Sequence, residues 1–213
     1  VKSLCATKGD LALEIIVVDN CASFDVKETL AGHPVTILTN DTQLGLAANQ
    51  NRAIAVAQGD FIFWLNDDTL VQPDCLQSML QAMRAKPKVG AIAPKLWNER
   101  ELLTPQANIA SNFPTPWRCF LQDLLEETPM INWPLARKFL MSNFFPLTRT
   151  GPVRSLGGAA IFFRREALDE VGPMDESYGM YYEETDWCYR LKLRGWQLYG
   201  VAEAQVVHFG GQT

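Results

Sequence analysis

No run in this sequence approaches the ~20 apolar residues that a membrane-crossing helix needs. Runs such as Ile15–Val18 and Phe61–Leu65 have strand length. No signal-peptide or lipidation pattern stands in these residues. Cysteine is scarce and odd in number: Cys5, Cys21, Cys75, Cys119 and Cys188, with no CxxC pair. That spacing argues against a zinc site or a disulfide framework, and favours reduced thiols in a cytoplasmic protein. A basic surplus is also missing. Lys and Arg number 19 against 24 Asp and Glu, a net charge of −5, so nucleic acid is a poor partner. There is no GxxxxGK[ST] and no GxGxxG after a strand, which removes the main support for P-loop and dinucleotide readings. Disorder is excluded as well, because hydrophobic residues make up 47% and charged residues only 20%. The chain opens on Val1 without a Met and ends on Gly210-Gly211-Gln212-Thr213. Both ends suggest a piece of a longer protein.

What is present is an alternation. Glu14 to Asn20 is a β-branched run that closes on polar residues, as a buried parallel strand does at its carboxyl end. Val35–Thr39, Phe61–Leu65 and Val89–Ala93 read as further strands. Between them, Leu46–Ala57 reads as a helix closed by Gly59, and Pro73–Met83 as one with Pro near its start. The segment 95–152 breaks the rhythm with prolines and with Trp97, Trp117 and Trp133. Short helices over Trp117–Leu125 and Leu135–Ser142 fit within it. Then Gly157–Phe163 reads as a strand, Arg165–Val171 and Glu184–Arg194 as helices, and Trp196–Tyr199 and Gln205–Val207 as late strands. Strands alternating with helices through short connections predict an α/β fold with a central and mainly parallel sheet.

In open parallel sheets, ligands bind beyond the carboxyl ends of the strands. Asp19-Asn20 follows one such strand and Asn66-Asp67-Asp68 another. Three carboxylates on one rim repel unless a cation or donors compensate. Either motif alone also reads as a turn or a helix cap; the two together, in this order, favour a site. Glu183-Glu184-Thr185-Asp186 places acids at a helix start, where the dipole favours them whether or not they are functional. His208, beside Gly210-Gly211, reads as a metal ligand or a structural histidine. Gly157-Gly158 allows close packing or close approach of a ligand. Trp187 reads as a sugar-stacking or a core residue.

Taken in order, these motifs resemble the family 2 glycosyltransferases, especially the bacterial rhamnosyltransferase-like enzymes of cell-surface polysaccharide synthesis. The resemblance runs through Ile16–Asn20, Asn40 with Leu44–Asn51, Leu65–Thr69, Gly157–Ala160 with Arg164-Arg165, Val171–Glu176, Tyr182–Trp187, Arg194–Trp196 and His208–Gly211. It implies a GT-A fold, a single Rossmann-like α/β domain with its sheet flanked by helices, that binds a nucleotide sugar (dTDP-, UDP- or GDP-linked) and Mg²⁺ or Mn²⁺, and inverting transfer to a glycan or lipid-linked acceptor. It implies nucleotide-sugar contacts at Asp19, Asn20, Asn40, Gly45, Asn51, Asn66, Asp67, Gly157 and Gly158. Asp68 and His208 fall at the metal-binding positions, and Asn66 stands where a first Asp would complete a two-carboxylate clamp. Glu184 is the implied general base, with Glu183 and Asp186 next in line, and Trp187 is assigned to the acceptor side. The segment 95–152 is the implied acceptor region, with peripheral contact at the inner face of a membrane. One departure bears on activity. The family opens with a strand of the type Val-x-Ile-Val-x-x-Tyr-Asn, and no such strand stands here; Val1–Leu4 looks like the end of the helix after it. A sheet without that strand exposes hydrogen-bonding edges. It also keeps open a second reading, a catalytically inactive nucleotide-sugar binding module.

Overall fold

The computed structural model describes the chain except residues 100–101, 107–109, 112, 114, 116, 118–119, 122–123, 126–127, 130–132, 136–143, 179–180 and 211–213. The chain begins in helix α1 (Lys2–Thr7), as its first residues suggest, and continues into strand β1 (Ile16–Asp19). Then come α2 (Val26–Thr29), β2 (Thr36–Thr39), α3 (Leu46–Val56) and β3 (Phe61–Leu65). The middle of the chain holds β4 (Thr69–Val71), α4 (Cys75–Ala85) and β5 (Val89–Trp97). Two short strands, β6 (Ala110–Ser111) and β7 (Phe144–Phe145), pair with each other. The chain closes with β8 (Gly151–Val153), β9 (Ala160–Arg164), α5 (Arg165–Val171), α6 (Glu183–Leu193) and β10 (Gln197–His208).

Six strands form the main sheet in the order β3-β9-β5-β10-β4, with β8 also on β10. The α/β class is the expected one, but the pairing is mixed rather than mainly parallel. Strand β9 runs antiparallel between β3 and β5, and β4 and β8 run antiparallel to β10. The β5–β10 ladder is parallel. β10 is one strand where the sequence suggests two, because a register shift between Val201 and Gln205 bends it without ending it.

The core lies where α4 meets this sheet. Cys75, Leu76, Met79, Leu80 and Met83 recur on one helical face and are buried. They sit with the apolar residues of β5, Val89, Ala91, Ile92 and Ala93, all at most 1% exposed. Burial pushes the Cys75 and Cys188 thiols up to about 12, so both are inert apolar fillers.

β1 and β2 stand apart as a parallel two-stranded sheet. The helix α3 follows β2, packs on β1 and leads into β3. Glu14 Oε2 accepts from the Gln58 backbone N–H at 2.8 Å, so the starts of β1 and β3 are tied. Among the described residues, no ladder joins these two strands. All four residues of β1 are only half-buried, although Ile16, Val17 and Val18 suit a covered strand. Among the described residues, β1 pairs only with β2 and β3 only with β9.

Candidate active site

The main sheet brings its motifs to one rim, and the two-stranded sheet carries Asp19. Asp19 ends β1. Asn66, Asp67 and Asp68 follow β3 and turn the chain into β4. His208 ends β10, in register with Thr69 of β4. Gly157 and Gly158 precede β9, whose first residue Ala160 pairs with Leu65. The Asn66 N–H donates to Ala159 O at 3.0 Å, which joins the acidic turn to the glycines.

Around Asp19 the polar residues are mostly engaged with one another. Asp19 Oδ1 accepts from the Ala22 N–H at 2.9 Å. Asn20 accepts at Oδ1 from the Leu44 N–H and donates from Nδ2 to Leu44 O, at 2.8 and 3.0 Å. The buried Asn40 donates to Asn20 Oδ1 and Asn49 Oδ1 and accepts from Arg52. Asn20 and Asn40 thus fix the loop before α3. Gly45 caps that helix without a side chain, leaving backbone N–H groups of its first turn open. Asn51 points its amide elsewhere: it donates to Met174 O and Glu176 Oε1 and accepts from the Met174 N–H. It clamps α3 to the 174–176 loop. Asn49 lies within the Leu44–Asn51 motif without a role assigned to it, and Arg52 stands just beyond that motif.

Asp68 and His208 meet. His208 Nε2 lies 3.3 Å from Asp68 Oδ1, and the two side chains are 15% and 6% exposed. The Phe209 N–H donates to Asp68 O at 3.0 Å and fixes the approach. Asp68 Oδ1 is buried and makes no hydrogen bond among the described residues. A buried carboxylate oxygen without a donor is costly unless a cation completes it. Around an octahedral ion with ~2.1 Å bonds, adjacent ligand atoms stand ~3 Å apart, so this pair fits a divalent cation. Asp67, beside it, is exposed. No group of three or more acidic, histidine or cysteine side chains converges among the described residues. Two protein ligands leave room for substrate oxygens and water, the usual arrangement for a diphosphate-bound ion.

The acids of α6 divide into three environments. Glu183 is 3% exposed and its Oε2 has no hydrogen bond among the described residues. Glu184 lies against Gly158, where an added Cβ would stand 3.5 Å from its carboxyl carbon. Burial pushes the Glu184 carboxyl from 4.5 to about 7, and the Glu183 charge pushes in the same direction. Desolvation therefore wins over the helix dipole here. Asp186 is paired with Arg190 at 2.8 Å, and that guanidinium also donates to Val171 O and Pro173 O. Asp186 is a strut of the loop before the helix, which weakens its candidacy as a base. Tyr181 and Tyr182, just before α6, both hold positive φ, at 70° and 73°. Such a conformation costs bulky residues roughly 1–2 kcal/mol each and sets the entry to the helix. Nothing in the sequence signalled it.

Trp187 does not serve an acceptor. It is 1% exposed, its ring centroid lies 4.5 Å from that of Phe163, and its Nε1–H donates to Gly172 O at 2.9 Å. The expectation of sugar stacking is corrected: α6 turns this residue inward, one position in three or four, to the sheet. Trp187→Ala should cost about 3–5 kcal/mol by denaturant unfolding, with acceptor KM unaltered in the folded fraction. The implied acceptor segment shows Trp117, Phe120 and Trp133 exposed at 68, 56 and 62%. The described residues of the expected helix Trp117–Leu125 are helical, and the expected helix Leu135–Ser142 lies outside the described residues apart from Leu135. No helix among the described residues is long and apolar enough to cross a membrane.

An N-acetylglucosaminyl-diphospho-decaprenol L-rhamnosyltransferase of Mycobacterium tuberculosis (strain CDC 1551 / Oshkosh) is 28% identical over 186 residues, 82% of this chain. The chain spans 58% of that relative's length. Among solved structures, GalNAc-T7 with UDP, GalNAc and Mn²⁺ superposes with a TM-score of 0.68 at 14% identity, over 97% of this chain and 39% of that one. The mannosyltransferase PcManGT from Pyrobaculum calidifontis, in complex with GDP-Man and Mn²⁺, gives 0.60 at 18% identity, over 94% of this chain and 48% of its own. At such identities these two show a shared fold, the GT-A fold. Residues 1–172 match the model of the family described as glycosyl transferase family 2, and the chain belongs to that family.

Proposed function

We propose that this chain transfers a sugar from a nucleotide-diphosphate donor to a hydroxyl of a glycan or lipid-linked acceptor, with inversion at the anomeric carbon. The observation that carries the reading is the buried Asp68 Oδ1, unpartnered and 3.3 Å from His208 Nε2, on the rim of the main sheet where the Gly157-Gly158 turn also lies. Asp68 and His208 would hold Mg²⁺ or Mn²⁺, which neutralises charge on the departing diphosphate. Asp19 faces the nucleoside, held by the Asn20–Asn40 network, and Asn66 and Asp67 line the same edge. The open N–H groups at the start of α3 suit a donor anion. Glu184 takes the proton of the attacking acceptor hydroxyl, and a carboxyl near 7 matches that task at neutral pH. Gly157 and Gly158 leave the space beside it clear for the sugar. The exposed Trp117, Phe120 and Trp133 suit an acceptor with an apolar part, or a membrane surface beside it. The family relative with a decaprenol-linked substrate in its name supports that choice.

The test is calorimetric titration with UDP, dTDP and GDP in the presence of Mn²⁺, followed by a donor hydrolysis assay. We expect one nucleotide to bind in a Mn²⁺-dependent way and its sugar derivative to be hydrolysed slowly. Absence of any metal-dependent nucleotide binding sinks the proposal. The split between β1 and β3 favours a second reading, a binding module without activity. Binding with neither hydrolysis nor transfer to any glycan or polyprenyl-linked acceptor would select it.

A further inference from the structure

The Asp68–His208 pair has a neighbour that no motif marked. Gln106 Oε1 lies 3.1 Å from His208 Nδ1. An amide oxygen only accepts, so this contact puts the ring proton on Nδ1. In a neutral imidazole the other nitrogen then carries a lone pair. That nitrogen, Nε2, faces the Asp68 oxygen that has no hydrogen bond, at 3.3 Å. Two lone pairs so placed repel each other, and a cation between them turns the repulsion into two bonds.

The backbone holds Gln106 in this position. Its N–H donates to Leu96 O at 2.9 Å, the Asn98 N–H donates to Thr104 O at 3.0 Å, and Trp97 bridges Pro105 antiparallel. The chain therefore leaves β5, turns, and lies back along its end. β5 is the parallel neighbour of β10, with Leu96 opposite Val206 and Trp97 opposite Val207. Trp97 Nε1–H donates to Gln205 Oε1 at 3.1 Å and ties the same turn to β10. Gln106 thus reaches His208 from an adjoining, hydrogen-bonded element.

We infer that Gln106 is a positioning residue of the cation site: it fixes His208 in the Nδ1–H tautomer and so presents Nε2 to the ion. The inference rests on the metal reading of Asp68 and His208 proposed above. It also gives the segment 95–152 a task at the metal. Gln106 belongs to that segment, so a change in how the segment lies against β10 changes cation affinity.

The experiment has two arms. In the first, Mn²⁺ alone is titrated into the intact chain and followed by the electron paramagnetic resonance signal of the free ion. The wild type should show one site, and H208A none. Gln106→Ala should weaken binding 10- to 100-fold, the usual effect of removing such a partner. Gln106→Glu, which keeps an accepting oxygen, should stay within about threefold of wild type. In the second arm, nitrogen NMR of the metal-free protein reads the imidazole tautomer, with His33 as internal reference. The wild type should show Nδ1–H at His208, and Gln106→Ala a mixture. If the wild type binds Mn²⁺, H208A does not, and Gln106→Ala binds like wild type, the inference is overturned. An Nε2–H tautomer in the wild type also overturns it. A wild type that takes up no Mn²⁺ would instead remove the metal reading, and the tautomer would still decide what Gln106 does.

Discussion

Glu184→Gln should lower turnover by about 10²–10⁴-fold while donor affinity stays within about twofold of wild type. The amide keeps the shape and the contact with Gly158 but cannot accept a proton. The pH profile gives an independent check. A base works when ionised, and burial holds this carboxyl at about 7, so kcat/KM of the wild type should rise with pH through about 7 and then level. In the variant that limb should vanish. Stability should move the other way. The folded pKa lies above the ordinary 4.5, so the fold prefers the protonated form. The associated stability is fully present below about 4.5 and is lost as pH rises through about 7. The gap between the two values corresponds to about 3 kcal/mol. Glutamine is neutral throughout, so at pH 8 to 9 the variant should unfold at higher denaturant than wild type, by up to about that amount, and near pH 4 the two should coincide. Turnover close to wild type would move the base to Glu183, since Asp186 is held by Arg190.

Asp68→Asn should abolish Mn²⁺ binding and reduce sugar transfer by more than about 100-fold, yet the metal-free protein should melt at the same temperature or higher. The reason lies in the 3.3 Å approach of Asp68 Oδ1 to His208 Nε2. In the wild type this oxygen is buried without a hydrogen bond. At a pH where the ring is neutral, an asparagine amide in its place donates to Nε2 and supplies a hydrogen bond worth about 1 kcal/mol where the carboxylate makes none. Loss of function with gain of stability is the mark of a residue kept for binding and not for folding. Calorimetric titration with Mn²⁺ and a metal-free melting curve check both halves. Unchanged Mn²⁺ affinity would remove Asp68 from the site.

Much of this was legible in the sequence because the signals are local. The β-branched run at β1, the apolar run at β3 and the helical face of α4 each carry their own period or length. The rule that strand ends form the rim points to Asp19, Asp67 and Asp68, and the family resemblance adds His208. Other features depend on contacts between distant residues, which no local pattern records. The antiparallel insertion of β9 between β3 and β5 is one. β4 is another, a strand of only Thr69, Leu70 and Val71 that exists because β10 pairs with it. Trp187 was ambiguous because an aromatic residue next to acids reads alike in a core and in a sugar site; the helical phase of α6 decides it. Gln106 carries no signal at all, since its role depends on a turn that returns along β5.

The separate two-stranded sheet has a consequence for affinity. In the proposed site Asp19 stands on that sheet, and Asp68, His208 and Glu184 are carried by the larger sheet and its helix. No strand ladder joins the two sheets among the described residues. A donor that touches both becomes the cross-link between them. Part of its binding free energy is then spent on fixing the two sheets relative to each other, so its measured affinity falls short of what the contacts alone would give. The reciprocal also holds: whatever else stiffens the boundary between β1 and β3 tightens donor binding without touching the donor.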